Sequence, residues 1–253
     1  MVTTARSLSS TIRLNDGVEM PMFGLGTWQA KAGNQAEDRA GIKKSGVKRD
    51  DVFLVTKLWT NSYESCKDEF NTSLKELDSG YIDLYLIHSP SDGYVLESYK
   101  AMMEFQQKGL VRSIGVSNFG IHHLEKMKKA GVPTPAVNQI ELHSWMKRYE
   151  LVKYCRDNGI AVMGYSPLVK AERMKDHTLV SVAKTIGKTV GQTLIRYSVQ
   201  IGYITIPKTV KPARIIENAD VFEWSIPEQE MTKLNSFPEN SCTWNPAVSL
   251  WKG

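Results

Sequence analysis

The sequence predicts a single α/β domain, a parallel array of seven strands fronted by a short hairpin. Three observations carry that reading. The 253 residues would suffice for eight strand–helix units of about 30 residues each. Short apolar runs alternate with amphipathic stretches, as consecutive βαβ units require. No composition shift or flexible linker divides the chain, so one domain is expected over 1–253, with a loose Ser/Thr-rich leader at 1–10 and a C-terminal tail at 236–253.

The elements follow in order. Residues 11–14 and 18–20 flank Asn15-Asp16-Gly17, and Asp-Gly between short apolar segments signals a hairpin. Runs of β-branched and apolar residues at 22–27, 52–58, 82–88, 111–118, 136–142, 160–166 and 203–208 read as buried parallel strands. Between them, helices are expected at 69–77, 97–108, 120–129, 149–158, 178–200 and 213–219. A last one at 227–234 opens on Pro227, a residue suited to a helix start. Residues 29–51 contain no apolar run and at best a short, weakly amphipathic helix at 36–45. The count is therefore seven strands where the length would allow eight. The strand at 22 could pair directly with that at 52, because 23 intervening residues exceed what a parallel crossover needs.

Composition excludes several classes of function. Hydrophobic residues are 42% and charged residues 23%, which is globular and neither disordered nor coiled-coil. The net charge of +5 is mild and spread along the chain, so nucleic acid is not indicated, although a small anionic ligand would suit it. Cys66, Cys155 and Cys242 are odd in number and far apart, which points to reduced thiols, a cytoplasmic setting and no metal spacing. No apolar run approaches the roughly 18 residues of a membrane span. The leader lacks the apolar core of a signal peptide, with a transit peptide as the alternative. A monomer is expected.

Most of the strand runs end in polar residues: Thr27-Trp28, Lys57, His88, Ser117-Asn118, Gln139 with Glu141, Tyr165-Ser166 and Lys208-Thr209. The carboxyl ends of parallel strands face one way, so these groups converge on a shared ligand site. Gly24 and Gly26 are not a dinucleotide fingerprint, since no third glycine follows and no helix opens there; a turn or close packing explains them. His122-His123 reads as a surface pair.

The ordered set GLGTWQ, VTKLW, YIDLYLIH, GLVRSIGVSNF, VNQIELH, GYSPL and IPKTVKPARIIEN resembles the aldo-keto reductases over most of the chain. The resemblance implies a TIM-type (β/α) barrel closed below by the hairpin, and reduction of aldehydes and ketones with NADP(H). It assigns Thr27, Ser117, Asn118, Gln139, Tyr165, Ser166, Leu168, Lys208, Thr209, Arg214, Glu217 and Asn218 to the cofactor. Among these, Ser117, Asn118 and Gln139 would bond the nicotinamide carboxamide and Tyr165 would stack on its ring. Ser166 and Leu168 would follow the pyrophosphate, and Lys208, Thr209 and Arg214 would hold the 2′-phosphate. Glu217 and Asn218 would meet the adenine. Trp28 and Trp59 are expected to line the substrate pocket.

The family uses an Asp, a Tyr, a Lys and a His for catalysis. Lys57 matches the Lys and His88 the His, but neither the Asp nor the proton-donating Tyr has a match. Gln29-Ala30-Lys31-Ala32-Gly33 runs directly into the segment that normally follows the Tyr, so the family's first helix and second strand are absent as a block. The barrel is thus expected to be incomplete, with His88 as the remaining proton-transfer group. Tyr63 and Tyr94, in the loops after Lys57 and His88, would either cover the pocket or replace the missing Tyr. Two further readings are a non-catalytic NADP(H)-binding protein or internally truncated isoform, and a structural protein that keeps the barrel without nucleotide.

Overall fold

The computed structural model describes residues 3–28, 35–91, 93–249 and 251, and only the backbone of 35–38. The expectations for Gln29–Gly33 and Asn34 lie outside the described residues.

The hairpin forms as the Asp-Gly signal predicts. Strands β1 (Thr11–Arg13) and β2 (Glu19–Pro21) pair antiparallel with Ile12 opposite Met20. The turn needs a left-handed residue, and Gly17 supplies it at φ +88°. Leu14 and Met20 are buried with Leu84, Leu86, Val137 and Met163, so the hairpin plugs one end of the sheet. Asp16 fastens it by accepting a bond from Ser113 Oγ at 2.7 Å.

The main sheet is parallel and sequential: β3 (Val55–Leu58), β4 (Ile82–Ile87), β5 (Val111–Ser117), β6 (Val137–Glu141), β7 (Ala161–Tyr165) and β8 (Ile204–Thr205). The expected first strand at 22–27 is not a regular strand. It lies beside β8 through two isolated parallel bridges, Phe23 to Thr205 and Gly26 to Lys208. Pro207 interrupts the ladder because it has no N–H, although its carbonyl accepts from Gly26 N. A Cβ on Gly26 would sit 3.0 Å from the Ile206 carbonyl, so the close-packing reading of this glycine holds. The seven expected strands are therefore six plus a bridged segment. Among the described residues, β3 pairs only with β4, and the anticipated pairing of segment 22–27 with the strand after residue 52 is not seen.

The helices are α1 (Gln35–Ser45), α2 (Tyr63–Leu77), α3 (Val95–Gln107), α4 (Ile121–Lys129), α5 (Tyr149–Asp157), α6 (His177–Thr185), α7 (Val190–Ile201), α8 (Pro212–Ala219) and α9 (Glu228–Asn235). Two differ from expectation for local reasons. Helix α2 starts six residues early because the Ser62 side chain caps it, accepting from Ser65 N. The single helix expected at 178–200 is two: Gly187 at φ +67° breaks it, and a Thr189–Gln192 capping box restarts it.

The largest core cluster lies between the strands and helices α2 to α5, where Phe70 stacks on Phe105 at 4.0 Å. A second gathers Leu179, Leu194, Leu234 and Phe237 from α6, α7, α9 and the chain just after α9. Ala5 is buried with Met22, Ile195 and Val221, so the leader is not loose at that point. Among the described residues, no helix is long and apolar enough to cross a membrane.

Candidate active site

Lys57 leaves β3 one residue before its end, and His88 follows β4 directly. The His88 ring lies 4.1 Å from the Trp59 ring and 5.6 Å from the Trp244 ring, centroid to centroid. Burial and the positive charge of Lys57 push its pKa down to about 4. The imidazole is therefore neutral at ordinary pH. Lys57 is half-buried, and burial pushes its ammonium down to about 8. No salt bridge to Lys57 exists among the described residues. At neutral pH, then, it is Lys57 that carries an ionisable proton to give, while the His88 imidazole is uncharged.

The next strands bring the amide groups together. Asn118 Nδ2 donates to the His88 carbonyl at 2.9 Å, and Tyr165 Oη donates to Asn118 Oδ1 at 2.8 Å. Ser117 Oγ donates to the Gln139 carbonyl at 2.8 Å, while Gln139 Nε2 points at Met163 Sδ. Burial lifts the Tyr165 phenol to about 12, so it stays a neutral donor. Asn118 has φ +63°, which Asn tolerates. Ser166, Val169, Lys170 and Ala171 also have positive φ, and Val169 is β-branched. Strain of this kind, roughly 1–3 kcal/mol per residue, clusters at ligand-binding segments.

Sequence reasoning placed Glu141 among the polar strand ends but gave it no role, and it is the group that closes the site. Glu141, at the end of β6, is fully buried. Its Oε1 accepts from His143 Nε2 at 2.8 Å and Cys242 N at 2.7 Å; its Oε2 accepts from the hydroxyls of Ser241 and Thr243. One carboxylate thus clasps the returning C-terminal segment and sets Trp244 beside His88. Burial opposes its charge, but the bonds from His143, Ser241, Thr243 and Cys242 together outweigh it and lower the pKa strongly. Glu141, His143 and Cys242 also stand within metal-ligand spacing. However, His143 Nδ1 accepts from Trp145 N, so Nε2 carries the proton and the trio is a hydrogen-bonded clasp. Glu141 was visible as a polar strand end; nothing in the tail sequence marked Thr243 or Trp244 as its neighbours.

The remaining expected residues fall in two places. The Gly26–Pro207 bond brings Thr27 and Trp28 alongside Lys208 and Thr209. Trp28 is exposed and has Lys170 Nζ over its ring at 5.7 Å, on the side of the strained Ser166–Ala171 segment where Leu168 is half-buried. Lys208 and Arg214 are exposed with no ion pair among the described residues. Glu217 is half-buried, and Asn218 is buried with Nδ2 lacking a partner.

Two expectations are corrected. Tyr63 is the first residue of α2, and its hydroxyl donates to Glu104 of α3 at 2.8 Å, which draws it into the helix layer and away from the pocket. The Tyr63→Phe variant should therefore leave any carbonyl turnover unchanged; a large loss in a steady-state assay would contradict this placement. Tyr94 stays in the loop before α3, 63% exposed. His123 is not on the surface: it is buried, and both it and His122 bond the Ser249 carbonyl, holding the tail on α4.

A parallel sheet whose carboxyl ends gather ionisable and amide side chains is the framework of a barrel enzyme. The chain belongs to the aldo/keto reductase family, oxidoreductases acting on carbonyl compounds; the family model matches residues 30–239. It is 36% identical to a glyoxal reductase of Bacillus subtilis, over 91% of this chain and 93% of that protein. It is 34% identical to a 9,11-endoperoxide prostaglandin H2 reductase of Trypanosoma cruzi, over 90% and 92%. The crystal structure of an aldo-keto reductase from a Medee basin deep-sea metagenome library superposes with a TM-score of 0.89, 32% identity and coverage of 95% and 99%. The Bacillus match extends over 257 positions but uses 91% of the 253 residues, about 230, so about 27 positions have no residue here.

Proposed function

We propose that the chain is an NADP(H)-dependent carbonyl reductase whose proton transfer rests on Lys57 and His88 alone, and is impaired for that reason. The observation that carries this is the Lys57–His88 pair at the sheet mouth, walled by Trp59 and Trp244. Among the described residues it has no acidic partner, and the only phenol in the amide cluster, Tyr165, is engaged with Asn118.

The residues fit the cofactor. Lys208 and Arg214 offer two exposed cations beside the Thr209 hydroxyl, a set suited to a phosphate dianion. The orphaned Asn218 Nδ2 is a buried donor awaiting an acceptor such as a purine nitrogen. When bound, NADPH supplies the hydride. Asn118 and Gln139 would hold the carboxamide, and Tyr165 would present its ring to the nicotinamide. Ser117 positions Gln139 through its carbonyl, while Ser166, Leu168 and Thr27 would border the phosphates. Glu217 would lie near the adenine, and Trp28 with Trp59 would line the substrate pocket.

His88, neutral, holds the carbonyl oxygen by a hydrogen bond, and the Lys57 ammonium gives the proton. Lys57 is charged below about 8 and loses its proton above it, so reduction should fall as pH rises through about 8. A pH–rate profile for a reactive aromatic aldehyde checks this; a rate flat to pH 10 would exclude Lys57 as the donor. NADPH quenching of tryptophan fluorescence tests the cofactor. Lys208→Ala or Arg214→Ala should weaken NADPH by about 10–100-fold and NADH far less. Absence of quenching at high micromolar NADPH would overturn the reading.

The second reading, a non-catalytic NADP(H)-binding protein, is favoured by the roughly 27 positions of the Bacillus match with no residue here. Quenching without turnover would select it.

A further inference from the structure

We propose that Lys57 forms a Schiff base with aldehydes that enter the mouth of the sheet. Its amine has the placement this chemistry needs. It is half-buried at the end of β3, and among the described residues no carboxylate holds it in the charged form. Its titratable neighbour in the site is the neutral imidazole of His88, not an acid, and Trp59 and Trp244 beside that imidazole are 54% and 51% exposed, so the mouth is lined by aromatics yet open.

The step balances without an oxidant or a cofactor. The Lys57 Nζ lone pair adds to the carbonyl carbon, a C–N bond forms, and the carbonyl π bond breaks onto oxygen. The resulting carbinolamine expels its hydroxyl, so the two N–H hydrogens of the neutral amine leave with the carbonyl oxygen as water. Neutral His88 is the neighbouring base able to take a proton from nitrogen and return it to oxygen.

Burial makes this amine different from the others. With a pKa near 8, about a tenth of Lys57 is neutral at pH 7, against roughly 0.03% for a lysine at its ordinary 10.5. That is an advantage of roughly 300-fold in reactive form, part of which the lower basicity of the amine takes back. The proposal shares one premise with the reductase reading, that carbonyl compounds enter this mouth, but it needs neither hydride nor NADP(H).

The test is benzaldehyde with cyanoborohydride at pH 7, followed by peptide mapping of the intact chain over time. Lys57 should be benzylated first, at least about tenfold faster than exposed Lys43 or Lys129. In Lys57→Arg the fast adduct should vanish while slow surface labelling persists. Labelling of Lys57 no faster than the surface lysines in the parent chain would overturn the proposal, whatever the variant does. NADPH oxidation is assayed separately: an adduct without NADPH oxidation retains this proposal and rejects the reductase, and the converse result does the opposite.

Discussion

Replacing Glu141 by alanine is expected to cost about 3–5 kcal/mol of stability and to free the 241–244 segment from the sheet mouth. The side chain is fully buried, and four donors converge on its two oxygens: His143 Nε2, Cys242 N and the hydroxyls of Ser241 and Thr243. Removal leaves those donors facing a cavity, and each unsatisfied buried group costs about 1–3 kcal/mol before relaxation. The segment would find water and move, taking Trp244 from His88. Urea unfolding measures the first effect and limited proteolysis near the C terminus the second. A loss under 1 kcal/mol with unchanged proteolysis would refute the clasp.

The same carboxylate makes stability depend on acid. Its folded pKa is depressed, so its contribution is complete above the ordinary value of 4.5 and is lost as pH falls below it. Glu141→Gln should flatten the stability profile below about pH 4.5 while losing less at pH 7 than alanine does.

The legible parts of this molecule are those fixed by local chemistry. Asp16-Gly17 marks a turn, and apolar runs such as 82–88 become β4 with every residue from Ile82 to Ile87 buried. The convergence of Lys57, His88, Asn118 and Tyr165 follows from parallel strands alone. What stayed hidden depends on partners distant in sequence. Pro207 breaks a ladder with residues far earlier in the chain, so 22–27 reads as a strand but forms only bridges. Tyr63 reads as a pocket residue until Ser62 caps α2 and Glu104 takes its hydroxyl. His123 reads as exposed until Ser249, 126 residues on, folds over it. The role of Glu141 likewise needs the tail to return.

Asp83→Ala is expected to destabilise the chain by about 2–4 kcal/mol and to loosen β3, the strand that carries Lys57. Asp83 is buried at the start of β4. Its Oδ2 accepts from an Arg49 terminal nitrogen at 2.7 Å and Leu54 N at 2.9 Å, and its Oδ1 from an Arg112 terminal nitrogen at 2.6 Å. Arg49 in turn bonds the Val52 and Tyr81 carbonyls, so this carboxylate organises the chain that enters β3. An internal strand would keep its place without such an anchor, but among the described residues β3 has β4 as its only ladder partner. The two arginine side chains are 20% and 42% exposed and can recruit water, which keeps the cost below that of a fully enclosed pair. Asp83→Asn preserves an acceptor for Leu54 N and should cost less. Fraying of β3 would hydrate Lys57, and its pKa would climb from about 8 back toward 10.5. The descending limb of the pH–rate profile should therefore shift to higher pH in Asp83→Ala. Titration of Lys57 by NMR reads the same shift without turnover, and an unmoved pKa in a destabilised variant would show that β3 is held by something else.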